Sequence, residues 1–116
     1  MIHGNNIIGF ELSAKSGNEF YVTNPATGEL LDGCFLQASK EEVDLAVSKG
    51  KSAYEIYKTK SGIEKAAFLR AIADEIEAMG EILIQIACAE SGLPEGRIVG
   101  ERGRTTGQLR LFASLL

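Results

Sequence analysis

Four glycines recur in a stretch near the C-terminus whose other residues indicate a helix. Their spacing of four, three and four residues places them all on one face: Gly96, Gly100, Gly103 and Gly107. Together they cost the helix about 3–4 kcal/mol relative to alanine. We therefore expect another backbone to pack closely against this bare face. Upstream, Gly92 suits the left-handed position after a helix end, and Pro94 suits the first turn of the next helix.

The side of this helix roughly opposite the glycines is apolar, with Ile98, Leu109, Phe112 and Leu116 around Thr105. Each large side chain would contribute about 1.5–3 kcal/mol on burial, and together they would outweigh the glycine cost. The helix is therefore expected to be packed from two sides. A polar stripe separates the two faces, and its spacing permits ion pairs of Glu101 with either neighbouring arginine: Arg97, Glu101, Arg104 and Gln108.

Three further helices are predicted upstream of this one. Ser39 with Glu42, and Ser61 with Glu64, form capping boxes that begin the first two. Gly80 marks a break, after which residues 81–91 form a third helix that is apolar on more than one side. Apolar residues at helical spacing give the first helix one stripe and the second its expected buried face: Val43, Ala46, Val47, Gly50, Ala53, Tyr54 and Tyr57; then Ala66, Leu69, Ile72, Ala73, Ile76 and Met79.

Residues 1–37 carry strand and turn signals. The apolar run 7–12 and the β-branched and aromatic run 19–23 flank a turn-rich segment, so they are predicted to pair as a hairpin. Residues 24–29 form a second turn, and Asp32-Gly33 is a favourable hairpin dipeptide between residues 30–31 and 34–36. The prediction is an α+β fragment, with a β-hairpin segment at 1–37 and a helical segment at 38–116.

Composition excludes several functional classes. The net charge of −4 gives no electrostatic footprint for nucleic acid, and no apolar run reaches the length that spans a bilayer. The N-terminus lacks the features of a secretory signal, so a cytoplasmic location is expected. Cys34 and Cys88 are far apart and the sole histidine is His3, which argues against a zinc site and favours two reduced thiols that serve packing. A glycine-rich dinucleotide loop after a strand, a P-loop and a Ser-His-Asp set are also missing from the sequence.

Several segments nevertheless resemble the N-terminal part of the aldehyde dehydrogenases. Residues 24–29 (NPATGE) resemble their N-P-x-T-G-E turn, and residues 65–74 (KAAFLRAIAD) resemble their R-x-x-x-L-R-x-I-A-D segment. Residues 90–94 (ESGLP) and 100–113 (GERGRTTGQLRLFA) are more particular. They are similar to the branch that oxidises α-ketoglutarate semialdehyde (2,5-dioxovalerate).

The resemblance implies a truncated N-terminal segment of an NAD(P)-dependent enzyme whose α/β cofactor-binding domain is incomplete here. In that family a cysteine thiolate attacks the aldehyde, hydride passes to the nicotinamide, and a glutamate assists hydrolysis of the thioester. Those catalytic groups and the cofactor glycines would lie beyond residue 116, so the chain alone is expected to bind no cofactor and to be inactive. The full-length protein is expected to be a homo-oligomer, although its oligomerisation arm is missing.

The resemblance also places the last helix near the substrate entrance. Arg104 would then be able to pair with a substrate carboxylate, with Gln108 beside it as a second candidate for substrate binding. A structural pairing of Arg104 with Glu101 or Gln108 is the alternative, and the other arginines of the helix are expected to be structural. A second hypothesis for the whole chain is a non-catalytic helical interaction module derived from such an enzyme.

Overall fold

A computed structural model of the chain describes residues 3–116. Short strands come first and helices follow, in the order β1 Asn6–Ile8, β2 Glu11–Ser13, β3 Glu19–Phe20, β4 Phe35–Leu36, α1 Lys40–Tyr57, α2 Gly62–Ala78, α3 Gly80–Ser91 and α4 Glu95–Leu115. This confirms the predicted α+β fragment of strand pairs followed by four helices. The strands end before residue 38 and the helices begin after it. The chain forms two compact units: residues up to Thr23 with Glu29–Thr59, and Asn24–Gly28 with Lys60–Leu116.

The predicted pairing of the strands is wrong. The apolar run 7–12 folds back on itself, so that β1 and β2 pair antiparallel, with Ile7 opposite Leu12. The turn between them is only Gly9-Phe10, and Gly9 has a φ of 69°, which a side chain would disfavour. A glycine inside an apolar run therefore marks a tight turn here, and the run is not one continuous strand.

The strand pair β3–β4 replaces the two predicted pairings. Phe20 lies opposite Phe35, and their rings stack with centroids 5.6 Å apart. Leu30 makes an isolated bridge to Thr23, so Asp32-Gly33 is not the turn of a hairpin between residues 30–31 and 34–36. Contact between two aromatic side chains distant in sequence has decided the pairing, in preference to the local turn signal.

Helix α1 packs with β1 and β2 in the first unit. Its capping box is present as predicted. The Ser39 hydroxyl accepts a hydrogen bond from the backbone N–H of Glu42, and the Glu42 carboxylate accepts one from the backbone N–H of Ser39 at 2.8 Å. Glu42 is fully buried, and its carboxylate also accepts hydrogen bonds from the Ser13 hydroxyl and the Lys15 backbone, which compensate its loss of water. Apart from Glu42, α1 is exposed, including most of the apolar stripe that includes Val43, Val47 and Tyr54.

The second unit is built on antiparallel packing of α2 against α4. The N-terminal end of α2 lies at the C-terminal end of α4, since a Cβ added at Gly62 would lie 2.6 Å from the carbonyl oxygen of Leu116. At the other end, Arg102 of α4 donates to the carbonyl of Gly80 at 3.3 Å. Small side chains let the two helices approach each other, and these are the ones buried: Ala66 and Ala73 on α2, Thr106 and Ala113 on α4.

Turns and glycines at the ends of α2, α3 and the 24–28 segment agree with the sequence predictions. Gly80 and Gly92 both have positive φ, and Gly92 ends α3 in the left-handed conformation. Pro94 immediately precedes α4, at the N-cap instead of within its first turn. The backbone N–H of Gly28 closes the second turn on the carbonyl of Asn24 at 2.8 Å.

One prediction about the packing of α2 is wrong. Met79 is half exposed instead of buried at the end of α2. Helix α4 is packed on one side only within residues 3–116, because a Cβ added at any of its four glycines would meet no atom within 4 Å. Its contact side is centred on Thr106 and Ala113, whereas Phe112 and Leu116 of the predicted apolar face are more than half exposed. None of the helices described is long and apolar enough to cross a membrane.

Candidate functional site

The polar stripe of α4 lies outside the buried side of the helix. By the 3.6-residue repeat its four members fall within an arc of about 60°, far from Thr106 and Ala113. Arg97 pairs with Glu101 through Nε and Oε1 at 2.9 Å, as the spacing permits. The hydroxyl of Thr105 donates to the backbone carbonyl of Glu101 at 2.9 Å. The first half of the stripe is therefore internally paired.

Arg104 is the member of the stripe whose charge has no partner. It is exposed, and its guanidinium forms no ion pair or hydrogen bond with any of residues 3–116. Glu101, one turn before it, is already bound to Arg97. The alternative of a structural pairing with Glu101 or Gln108 is therefore not what this structure contains. A planar guanidinium in this state can accept a bidentate carboxylate.

Two other arginines of α4 have partners in the described part of the chain. Arg102 donates to the Gly80 carbonyl, and Arg110 binds α2 through Asp74 at 2.8 Å and Glu77 at 2.6 Å. The hydrogen bond from Arg110 is the main cause that lowers the pKa of Glu77 to about 2, and it raises the pKa of Arg110 itself. The contact joins residues 33 and 36 positions apart, so local spacing could not predict it.

Gln108 lies at the edge of a groove between α2 and α4. The groove has a volume of about 640 Å³ and apolar walls, formed by Leu69, Ile72, Ile76, Leu109 and Phe112, with Thr105 and Gln108 as its polar members. Gln108 follows Arg104 by one helical turn, so the two candidate substrate-binding residues share one side of α4. The groove itself was not predicted from the sequence, because α2 and α4 are distant along the chain.

Cys34 does not have the surroundings of a nucleophile. Cys34 and Cys88 are both free and half-buried. Burial is the main cause that raises the pKa of Cys34, and hydrogen bonding to Glu19 raises it further. A raised pKa disfavours the thiolate that nucleophilic attack requires.

The described residues do not fit a nicotinamide cofactor or a metal ion. The spaced glycines lie within α4, and the element before α4 is the helix α3. A dinucleotide loop instead joins a strand to a helix. Among residues 3–116 there is no group of three or more His, Cys, Asp or Glu side chains placed to hold a metal. No chemical step through a cofactor can be assigned to this part of the chain.

Comparison with known proteins identifies the family. The model of the family described as "Aldehyde dehydrogenase family" matches residues 12–116. Alpha-ketoglutaric semialdehyde dehydrogenase 2 of Azospirillum brasilense is 44% identical over 114 residues, which cover 97% of this chain and 22% of that protein. The alpha-ketoglutaric semialdehyde dehydrogenase of Acinetobacter baylyi is 46% identical over 82 residues, which cover 71% of this chain and 16% of that protein.

Solved structures give the same result for the fold. The NADP-dependent glyceraldehyde-3-phosphate dehydrogenase of Bacillus halodurans, in complex with NADP, has a TM-score of 0.89 at 29% identity; the match covers 98% of this chain and 24% of that one. Betaine aldehyde dehydrogenase of Staphylococcus aureus, at 19% identity, also has a TM-score of 0.89, covering 99% and 24%. The chain spans about a fifth of the length of the curated relatives it matches. On the strength of the family match over residues 12–116, the chain belongs to the aldehyde dehydrogenase family.

Proposed function

We propose that this chain is the N-terminal segment of an NAD(P)-dependent dehydrogenase that oxidises a short aldehyde bearing a carboxylate, of the α-ketoglutarate semialdehyde type. Two relatives named for that substrate, 44% and 46% identical to the chain, support the substrate class. Chemistry through a cysteine thioester, and the cofactor itself, would belong to sequence outside these 116 residues. The nicotinamide-bound relative from Bacillus halodurans supports the cofactor class without distinguishing NAD from NADP for this protein.

The role of residues 3–116 in this proposal is to recognise the substrate carboxylate. The observation that carries it is the exposed guanidinium of Arg104, which has no partner while each of the other three arginines of α4 has one. Arg104 would bind the carboxylate bidentately, and Gln108 would donate a hydrogen bond to an oxygen of the same substrate. Binding at the end remote from the aldehyde would orient the reacting carbon.

The test is the substitution Arg104→Ala in the full-length enzyme. Charge-assisted hydrogen bonds of this kind contribute about 1.5–3 kcal/mol, so KM for α-ketoglutarate semialdehyde should rise roughly 10- to 100-fold. KM for a neutral aldehyde of similar length should not change, and Arg104→Lys should give an intermediate value because an ammonium cannot form the fork. An unchanged KM for the carboxylated aldehyde would remove Arg104 from substrate binding.

The 116-residue chain without further sequence is proposed to be inactive. Purified chain should reduce neither NAD nor NADP in the presence of the aldehyde, while the full-length enzyme does so under the same conditions. Measurable turnover by the isolated chain would contradict this. We also propose a cytoplasmic location, since two cysteines so far apart in the sequence favour reduced thiols over a disulfide.

A second candidate function is a non-catalytic interaction module. The amount of exposed apolar surface supports it. Large apolar side chains are more than half exposed on α1, on α3 and on α4, including Val47, Ile82 and Leu115. Sedimentation velocity of the isolated chain distinguishes the two. A module that evolved for self-association should form one defined oligomer, whereas a segment with exposed core surface should associate without a defined size.

A further inference from the structure

Glu101 has two arginines within reach on the same side of α4. Arg97 precedes it by four residues and Arg104 follows it by three, and both spacings place charged side chains close enough to pair. The structure contains the first pair, with Nε of Arg97 at 2.9 Å from Oε1 of Glu101. Glu101 is also the only carboxylate in the sequence within one helical turn of Arg104.

Glu101 would compete with a substrate carboxylate for Arg104, because one guanidinium cannot hold two carboxylates in the same bidentate geometry. If Glu101 turned towards Arg104, it would occupy donors of the guanidinium and would place a negative charge where a substrate carboxylate is to bind. Arg102 and Arg110 do not compete for Glu101, since they contact the Gly80 carbonyl and the carboxylates of α2. Arg97 is therefore the residue that engages Glu101.

We infer that Arg97 is a positioning residue, which holds Glu101 away from Arg104 and so leaves the Arg104 guanidinium available to a carboxylated aldehyde. The inference rests on the proposed function, because it gives Arg97 a role only if Arg104 binds the substrate. Arg97 itself makes no contact with the substrate in this scheme. It acts through Glu101 alone.

The test compares single and double substitutions in the full-length enzyme. Both side chains of the Arg97–Glu101 pair are about half exposed, and exposed helical pairs are weak, so Arg97→Ala should raise KM for α-ketoglutarate semialdehyde only about two- to threefold. Turnover at saturation, and KM for a neutral aldehyde of similar length, should not change. Adding Glu101→Gln to Arg97→Ala should restore the original KM, because the competing charge is then gone.

The outcomes separate this inference from the proposed function. If Arg104→Ala leaves KM for the carboxylated aldehyde unchanged, the proposed function of Arg104 fails first. If Arg104→Ala raises that KM but Arg97→Ala does not, Arg97 has no positioning role. A purely structural role for Arg97 would raise KM for both aldehydes alike, would lower the unfolding temperature, and would not be reversed by Glu101→Gln. That result would also overturn the inference.

Discussion

The guanidinium of Arg110 on α4 holds the carboxylate of Glu77 on α2 through two contacts, Nη1 to Oε1 at 2.6 Å and Nη2 to Oε2 at 2.9 Å. Nη2 also donates to Asp74 one turn earlier, at 2.8 Å. This fork joins the two helices whose packing forms the second compact unit. Because Arg110 contacts carboxylates on two successive turns of α2, it contributes to the packing of the two helices.

Replacement of Arg110 is expected to destabilise the contact between α2 and α4. Arg110→Ala should lower the urea midpoint of the chain, and Arg110→Lys should lower it less, since one ammonium replaces only part of the fork. Arg97→Ala is the matched control, because it removes an exposed ion pair that lies within α4 and joins no second element. Equal effects of Arg110→Ala and Arg97→Ala on the midpoint would contradict a specific role of Arg110 in helix packing.

The stability of the first unit should depend on pH through Glu42. The hydrogen bond from Ser13 is the main cause that lowers the pKa of Glu42 from 4.5 to about 2, with help from the backbone of Ser39. A lowered folded-state pKa means that this stabilisation is fully present above pH 4.5 and is lost as the pH falls towards about 2. Urea unfolding at a series of pH values across this window measures the effect.

Glu42→Gln is the control for this pH dependence. Glutamine keeps the shape of the capping box but does not titrate, so the variant should be less stable near neutral pH and should lose less stability on acidification. Glu64 and Glu77 also have pKa values lowered to about 2, so some dependence on pH must remain in the variant. An identical pH profile for the variant and the original chain would contradict the role of Glu42.

The sequence predicts the helices well because the signals that begin and end them are local. Capping boxes at Ser39 and Ser61 act over three residues, and Gly80 and Gly92 end their helices through their own backbone conformation. Such features do not depend on what lies far away in the chain. The same holds for the turn at residues 24–29, which closes through the Asn24 side chain and carbonyl.

Strand pairing and the buried side of α4 were not predicted correctly, because distant residues decide them. Phe20 pairs with Phe35 across 15 positions, and small residues on two helices select Thr106 and Ala113 as the contact side. The polar stripe was predicted from spacing alone, including the Arg97–Glu101 pair. Which arginine remains without a partner could not be predicted, since Arg102 and Arg110 find theirs at the end of α2 and beyond it.

The burial of Ile84 on α3 predicts that its truncation destabilises the chain, and Ile82 on the same helix is the control. Ile84 is 1% exposed, whereas Ile82 on the same helix is 54% exposed. Ile84→Ala should therefore destabilise the 116-residue chain by about 2–5 kcal/mol, because it leaves a cavity as well as removing buried apolar surface. Ile82→Ala should cost much less in the same denaturation experiment. Equal losses of stability at the two positions would contradict the packing of α3.

Replacement of Gly92 and of Gly103 by alanine should change the stability of the chain in opposite directions. At Gly92, φ is 71° and an added Cβ would lie 2.9 Å from Cγ of Pro25, so Gly92→Ala should destabilise the chain by more than about 1 kcal/mol. At Gly103 an added Cβ meets no atom within 4 Å, so Gly103→Ala should stabilise the chain by up to about 1 kcal/mol. Urea unfolding of both variants of the chain tests this difference in sign.

The same Gly103→Ala substitution tests what covers the glycine face of α4, formed by Gly96, Gly100, Gly103 and Gly107. The cost of these glycines led us to expect a backbone against that face, and residues 3–116 provide none. In the full-length enzyme that we propose, such a backbone would lie against Gly103. A new methyl group should then clash, and Gly103→Ala should lower the unfolding temperature. Stabilisation by Gly103→Ala in both the chain and the full-length enzyme would show that the face is open in each, and that close approach is not why the helix carries four glycines.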